Sequence, residues 1–345
     1  MARPAVADRP TAGPVTGADR RGGRVHGRHL LVGLLLLAIG SYLSLSIGAV
    51  KIPLGDMFHP SEQQWRIITL SRMPRTIAIL LAGAALAVAG LIMQRITQNS
   101  YVSPSTSGTV EAAIFGVLLA TLLVPGAGLT DKMLIALATA LIGTFGFLQI
   151  LQRVRVRDPI VVALIGIMYG GVIGALTTYL AYRNDLLQLL EIWTTASFSS
   201  IQAGQYEPLY LVVFVGAVGY LFADRFTVVG MGREFATNLG VNYRFVLYVG
   251  LIVVSVMAAT VVVVVGSIPF LGLIVPNIVR IWLGDNVRVV LPVTALAGAG
   301  FVLACDIVGR LIRYPYEIPV GVVGGVVGAG VFIWLIVRAQ SKGRA

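Results

Sequence analysis

Charge is scarce in this chain: Asp, Glu, Lys and Arg together make up 12% of its 345 residues, about half the share in an ordinary globular domain. A water-soluble fold needs a polar surface, and a chain that is 57% hydrophobic with so few charges does not supply one. Cysteine is nearly absent. The single Cys305 lies in an apolar stretch, which excludes a disulfide scaffold and leaves the redox compartment unread. The three histidines, His26, His29 and His59, form no metal constellation, so neither a metal nor a cofactor is expected. The three lysines, Lys51, Lys132 and Lys342, stand outside any GxxxxGK[ST] loop, so ATP is not bound by that route. A net charge of +11 invites a nucleic-acid reading, but the apolar character of the chain rules it out.

What is abundant is uninterrupted hydrophobic sequence. Residues 30–50, 76–94, 112–130, 133–152, 159–182, 208–223, 245–279, 289–305 and 318–337 contain no Asp, Glu, Lys or Arg. A helix needs about 20 apolar residues to cross the hydrocarbon core, and most of these windows are that long. Transmembrane β-barrels read instead as short alternating segments, so the spans are helices. The window 245–279 is too long for one span, since 35 residues would make a helix of about 52 Å. Gly266-Ser267-Ile268-Pro269, Gly272 and Pro276 interrupt it, which predicts two helices, roughly 245–267 and 271–284. The expected architecture is an all-α, polytopic membrane protein of about ten spans.

Ten spans put both termini on one side of the bilayer. Alternating the loops assigns 18 of the 26 Lys and Arg to that side, which the positive-inside rule makes cytoplasmic. Residues 1–28, rich in Arg, Gly, Ala and Pro, read as a disordered basic cytoplasmic tail, and residues 29–340 as the membrane domain. A signal peptide with 30–37 as its apolar region fits less well, because the apolar run continues to Val50 without a clear cleavage site.

Two acids fall inside the spans. Glu111 stands about one turn into its helix, where a carboxylate faces the positive end of the helix dipole. Asp306 precedes Arg310 by four residues, a spacing that pairs them on one helix face. Neither composes the relay that a proton-driven carrier needs.

Two features carry more. Arg72-Met73-Pro74-Arg75 and Arg310 with Arg313 place four arginines on the outer side, against the inward bias. Single arginines snorkel to an interface, whereas close pairs at helix ends suit bidentate recognition of carboxylates. The inner loop 224–244 predicts a short amphipathic helix: Gly232 opens it, Arg233 and Glu234 follow, Phe235, Ala236 and Leu239 recur at helical spacing, and Gly240 suits a C-terminal cap. Too short to span, it is either a surface helix in the headgroups or a knob for a cytoplasmic partner.

Five segments in order then resemble one family. They are Arg-Met-Pro-Arg (72–75), Gly-Ala-Ala-Leu-Ala-Val-Ala-Gly-Leu-Ile-Met-Gln (83–94), Gly-Arg-Glu-Phe-Ala-Thr-Asn-Leu-Gly (232–240), Ile-Pro-Phe-Leu-Gly-Leu-Ile-Val-Pro-Asn (268–277) and Tyr-Glu-Ile-Pro-Val-Gly (316–321). Together they resemble the FecCD family, the permease subunits of type II ABC importers for iron-siderophores, heme and cobalamin. Residues 98–109 depart from the commoner family pattern, and together with residues 177–188 they look like permeases for petrobactin, anguibactin and related, often catecholate, siderophores.

The resemblance implies a ten-helix permease in a cell membrane that catalyses no bond chemistry, with ATP hydrolysed by separate ABC ATPase subunits. It implies a second permease chain, related or identical, and an extracytoplasmic siderophore-binding protein docking on Arg72, Arg75 and Arg310, with Arg313 as a further candidate. Residues 232–240 match the segment that couples to the ATPase. Arg157, Asp158 and Pro159 match the inner gate region. The alternatives are a permease for another iron chelate, heme or cobalamin, or a secondary carrier or channel, which has no need of an ATPase socket. A membrane-embedded enzyme is disfavoured because no paired catalytic residues stand at the inner face.

Overall fold

The computed structural model describes residues 18–48, 52–53, 55, 60–154 and 158–342. The described residues are helical throughout, with loops and no strand. In chain order the helices are α1 (Ala18–Ser46), α2 (Glu62–Ile67), α3 (Met73–Ile96), α4 (Thr109–Leu123), α5 (Leu129–Arg153), α6 (Pro159–Arg183) and α7 (Leu187–Thr194). There follow α8 (Tyr210–Leu221), α9 (Ala223–Val229), α10 (Arg233–Asn238), α11 (Tyr243–Val264), α12 (Leu271–Leu283), α13 (Val287–Ile312) and α14 (Val320–Lys342).

Ten of these answer to the ten expected spans. Four single helices, α5, α6, α11 and α13, and the continuous helix Glu62–Ile96 are long and apolar enough to cross a bilayer. Glu207–Leu221 with Ala223–Val229 makes a sixth span bent by 60°. Residues 30–46 of α1, together with α4, α12 and residues 320–335 of α14, are shorter apolar helices. The broken window resolves as predicted into α11 and α12. Its non-helical link would be costly in lipid, because unpaired backbone groups find no water there. The protein satisfies it: Ser267 N–H donates to Trp193 O (3.0 Å), and Ser267 O and Val265 O accept from Ala196 and Ser197 N–H (3.2 Å each).

Two boundaries differ from the expectation. The sequence places the disordered tail at residues 1–28, but α1 is helical from Ala18, and only residues 1–17 of that tail lie outside the described part. Extending an existing helix costs far less than nucleating one, so the Leu-rich run carries the preceding Arg and Gly residues with it. The span opening at Arg72 continues upstream instead of starting there. Pro74 lacks an N–H for the helical ladder, and residues 68–72 widen into a π turn in which Met73 N–H reaches Ile68 O. The chain thus stays helical from Glu62 to Ile96.

Packing centres on α3, α11 and α13. The apolar windows of Glu62–Ile96 and α11 are 78% and 83% buried, against 17% for α6. Small residues bring the central helices together. A Cβ on Gly83 would stand 2.6 Å from Gly298 O, and one on Gly90 only 1.8 Å from Gly272 O. Close backbone approach of this kind replaces the hydrophobic drive that lipid removes. It sets the two ends of the bundle: a tail end, where α1 begins, and a far end, where α1 stops and α3 and α14 start.

Candidate docking and coupling surfaces

At the far end, the last carbonyls of α1 have no acceptor role left within the helix. Two arginines from other helices take them. Arg310 Nη1 donates to Ser44 O (3.0 Å) and Ile47 O (2.7 Å), and its Nη2 to Ser44 Oγ (2.5 Å). Arg72 Nη1 donates to Ser46 O (3.0 Å) and also to Leu45 O. Cations at a helix C-terminus also oppose the dipole's negative end. The expected pair is present: Arg310 Nη2 contacts Asp306, which is itself buried.

Arg75 bridges two carboxylates. Its Nε and Nη2 lie 3.3 and 2.6 Å from Asp306 Oδ1, and its Nη1 lies 3.0 and 2.8 Å from the two oxygens of Glu317. A cavity of about 530 Å³ opens over this network, lined among others by Arg66, Arg72, Arg75, Arg310, Gln202 and Glu317. The structure therefore gathers three of the four predicted docking arginines around one cavity, but buries Arg72 and Arg310. Arg313 stands apart, exposed, with its guanidinium 5.8 Å from the centre of the Tyr316 ring.

At the tail end, the loop 224–244 forms two short helices, α9 and α10. The N-cap of α10, Gly232, takes φ +114°, which a side chain would resist. Its C-terminus closes in a Schellman motif, as Gly240 predicted: Gly240 (φ +74°) N–H donates to Thr237 O (2.9 Å) and Val241 N–H to Ala236 O (3.0 Å). Ala236 turns into the protein, whereas Phe235 and Leu239 are about half exposed (47% and 58%) and Arg233 and Glu234 are exposed. The helix thus anchors by its small residue and displays its large ones. Arg288 pairs with Asp224, and Val287 N–H donates to Thr227 Oγ1 (3.0 Å), which ties α9 to the start of α13.

Of the expected gate residues, Asp158 caps α6 through Ile160 N–H (2.8 Å), Pro159 opens that helix, and Pro159 O accepts from Asn99 Nδ2 (2.8 Å). Arg157 lies outside the described residues. Glu111 sits in the first turn of α4 as expected; its Oε2 is buried beside Gly170 of α6 and has no hydrogen-bond partner among the described residues.

One tail-end cluster escaped the sequence reading. Arg95 of α3 and Arg280 of α12 converge on Asp285 Oδ1 (2.7 and 2.6 Å), and Arg280 Nη1 also reaches Ser100 Oγ (3.0 Å). Burial alone would raise the Asp285 carboxyl, but hydrogen bonds from Arg280 and Arg95 outweigh it and hold it below the usual carboxylate range. Residues 190 positions apart meet here, so no local spacing announces the contact.

Comparison with known proteins agrees with this architecture. The petrobactin import system permease protein YclN of Bacillus subtilis is 42% identical over 91% of this chain and 98% of its own length. The petrobactin import system permease protein FatD of Bacillus anthracis is 40% identical, over 91% of this chain and 92% of its own. The ferric-anguibactin transport system permease protein FatD of Vibrio anguillarum is 36% identical over 86% and 94%. A solved inward-facing structure of a metal-chelate type ABC transporter superposes with a TM-score of 0.73 and 27% identity, covering 90% of this chain and 99% of the other. The profile of the FecCD transport family matches residues 36–338, and the chain belongs to that family.

Proposed function

We propose that this chain is the permease subunit of an ABC importer that carries a ferric siderophore, of catecholate type, into the cytoplasm. The observation that carries this reading is the petrobactin specificity named for two close relatives that match nearly its whole length. The chain works as a transport subunit in the cell membrane with both termini inside, and separate ATPase subunits hydrolyse ATP. A second permease chain completes the pathway, and an extracytoplasmic binding protein delivers the ligand.

The two ends of the bundle suit these partners. Phe235, exposed on a helix of only six residues, and Leu239 at its C-cap present an apolar knob of the kind that seats in a partner's groove. The far-end cavity, rich in arginine, suits acidic side chains of a binding protein. Asp158 and Pro159, with Arg157, belong to the inner gate in this reading. The test is uptake by proteoliposomes carrying both permeases, the ATPase and the binding protein. ATP-dependent entry of a ferric catecholate, not competed by cobalamin or heme, is the expected result. Entry without the ATPase would replace this reading with a secondary carrier or channel.

A further inference from the structure

Among the described residues, the far-end cavity holds more cation than its internal pairs neutralise. Arg66, Arg72, Arg75 and Arg310 line it, and Glu317 is the only acid among its described lining residues. Asp306 beneath contributes one more carboxylate, shared between Arg75 and Arg310. The four arginines are not equivalent. Arg72 and Arg310 are buried and hold the carbonyls at the end of α1, so a visiting carboxylate reaches them only by undoing that helix end.

Arg75 is different, because its two acidic partners are different. Asp306 is buried and grips one edge of the guanidinium. Glu317 takes Nη1 with both of its oxygens from an exposed loop just before α14, and Arg75 is its sole ion-pair partner among the described residues. Arg66, in the last turn of α2, is exposed, and its guanidinium makes no hydrogen bond or ion pair among the described residues. Among the described residues, the cavity therefore has one open cation at its mouth and one cation whose outer edge is filled by a replaceable carboxylate.

We propose that this cavity is a socket for one carboxylate of an acidic partner protein, received by Arg66 and by Arg75 Nη1 in the place that Glu317 fills in the free permease. This rests on the docking role of the far end, and it changes which residues perform it. Glu317 acts as a resident stand-in: it keeps Arg75 oriented and its charge balanced until the partner arrives, then gives way. Exchange of one carboxylate for another at Arg75 adds little net attraction, so the gain on binding comes from Arg66. Removing the resident charge removes the competitor, and the partner then binds more tightly.

The experiment uses the permease with its ATPase in nanodiscs, titrated with the binding protein of its own importer. Glu317→Gln is expected to tighten association by about threefold or more, and Arg66→Glu to weaken it by about tenfold or more, with a steeper loss as salt is lowered. Both positions are exposed, so the fold tolerates the changes; Glu317→Ala replaces Glu317→Gln if the latter is not recovered folded. Unchanged or weaker binding by the Glu317 variants, or unchanged binding by Arg66→Glu, overturns the socket. Arg75→Glu separates the two levels. If it abolishes binding while Arg66→Glu and Glu317→Gln leave it unmoved, the socket fails and docking stands. If Arg75→Glu also leaves affinity unchanged, docking at this end fails with it.

Discussion

Arg310 shows how much one side chain can hold when it is buried in a polar network. It joins Asp306 on its own helix to three oxygens at the end of α1. Arg310→Ala leaves Asp306 buried with Arg75 alone and frees the carbonyls of Ser44 and Ile47. Breaking one side of a buried pair costs about 3–5 kcal/mol, so thermal unfolding in detergent should shift down clearly. Arg313→Ala, at an exposed neighbouring position, should stay within about 0.5 kcal/mol of the parent. At the tail end, the Asp285 carboxyl is held below its usual range by Arg280 and Arg95. A depressed carboxylate stabilises the fold above its unfolded pKa of about 3.9, and that contribution is lost as pH falls through the lower folded value. Asp285→Asn should therefore flatten the acid limb of the stability profile below that point. The effect is small, because the Asp285 side chain is mostly exposed and screened. Sequence spacing gave notice of the Asp306–Arg310 pair, since four residues is one helical turn. It gave none of Arg95 with Asp285, because only the fold brings those helix ends together.

The helices themselves were legible for a simple reason. A charge-free window as long as the bilayer is thick has few alternatives to a helix, and Gly or Pro clusters mark where one ends. Local backbone detail was less legible. The π turn at 68–72 needs Pro74 and a preceding polar helix to be weighed together, and α7 lies between two of the charge-free windows, outside the pattern that marks the spans. Helix contacts through glycine make a sharp prediction. Gly90→Ala would place a methyl group inside the van der Waals radius of Gly272 O, backbone that has no side-chain freedom to yield. Folded yield on size-exclusion chromatography should collapse. Gly171→Ala on α6, with nothing within 4 Å of the added carbon, should behave as the parent. For α10 the prediction concerns a partner instead of stability. Phe235→Ser with Leu239→Ser changes only exposed side chains, so the permease should fold, while ATPase subunits should no longer co-purify with it. Retained co-purification and uptake would remove this helix from coupling.

At the scale of the molecule, burial is distributed unevenly around the bundle. The windows of Glu62–Ile96 and α11 are largely enclosed, and that of α6 is 17% buried although it too is long and apolar enough to cross a bilayer. Such a helix is covered by lipid or by protein. Its exposed side mixes aliphatic and aromatic residues, Met168, Leu176 and Tyr179 among them, with Gly171 and Gly174 that leave open space. Small residues that permit close approach are how helices associate within a bilayer. A second permease placed along α6 would enclose a pathway between the two chains and would account for a span so little covered by its own protein. Cysteine cross-linking decides between the covers. The single native cysteine, Cys305, is buried and leaves the background clean. Met168→Cys and Leu176→Cys, each in one permease of the assembled importer, should form inter-chain disulfides with cysteines introduced on the facing permease. Ile142→Cys, equally exposed on α5, should serve as the comparison and cross-link less. If α6 positions fail to cross-link while α5 positions succeed, the second permease lies on a different face and α6 is a lipid-facing span.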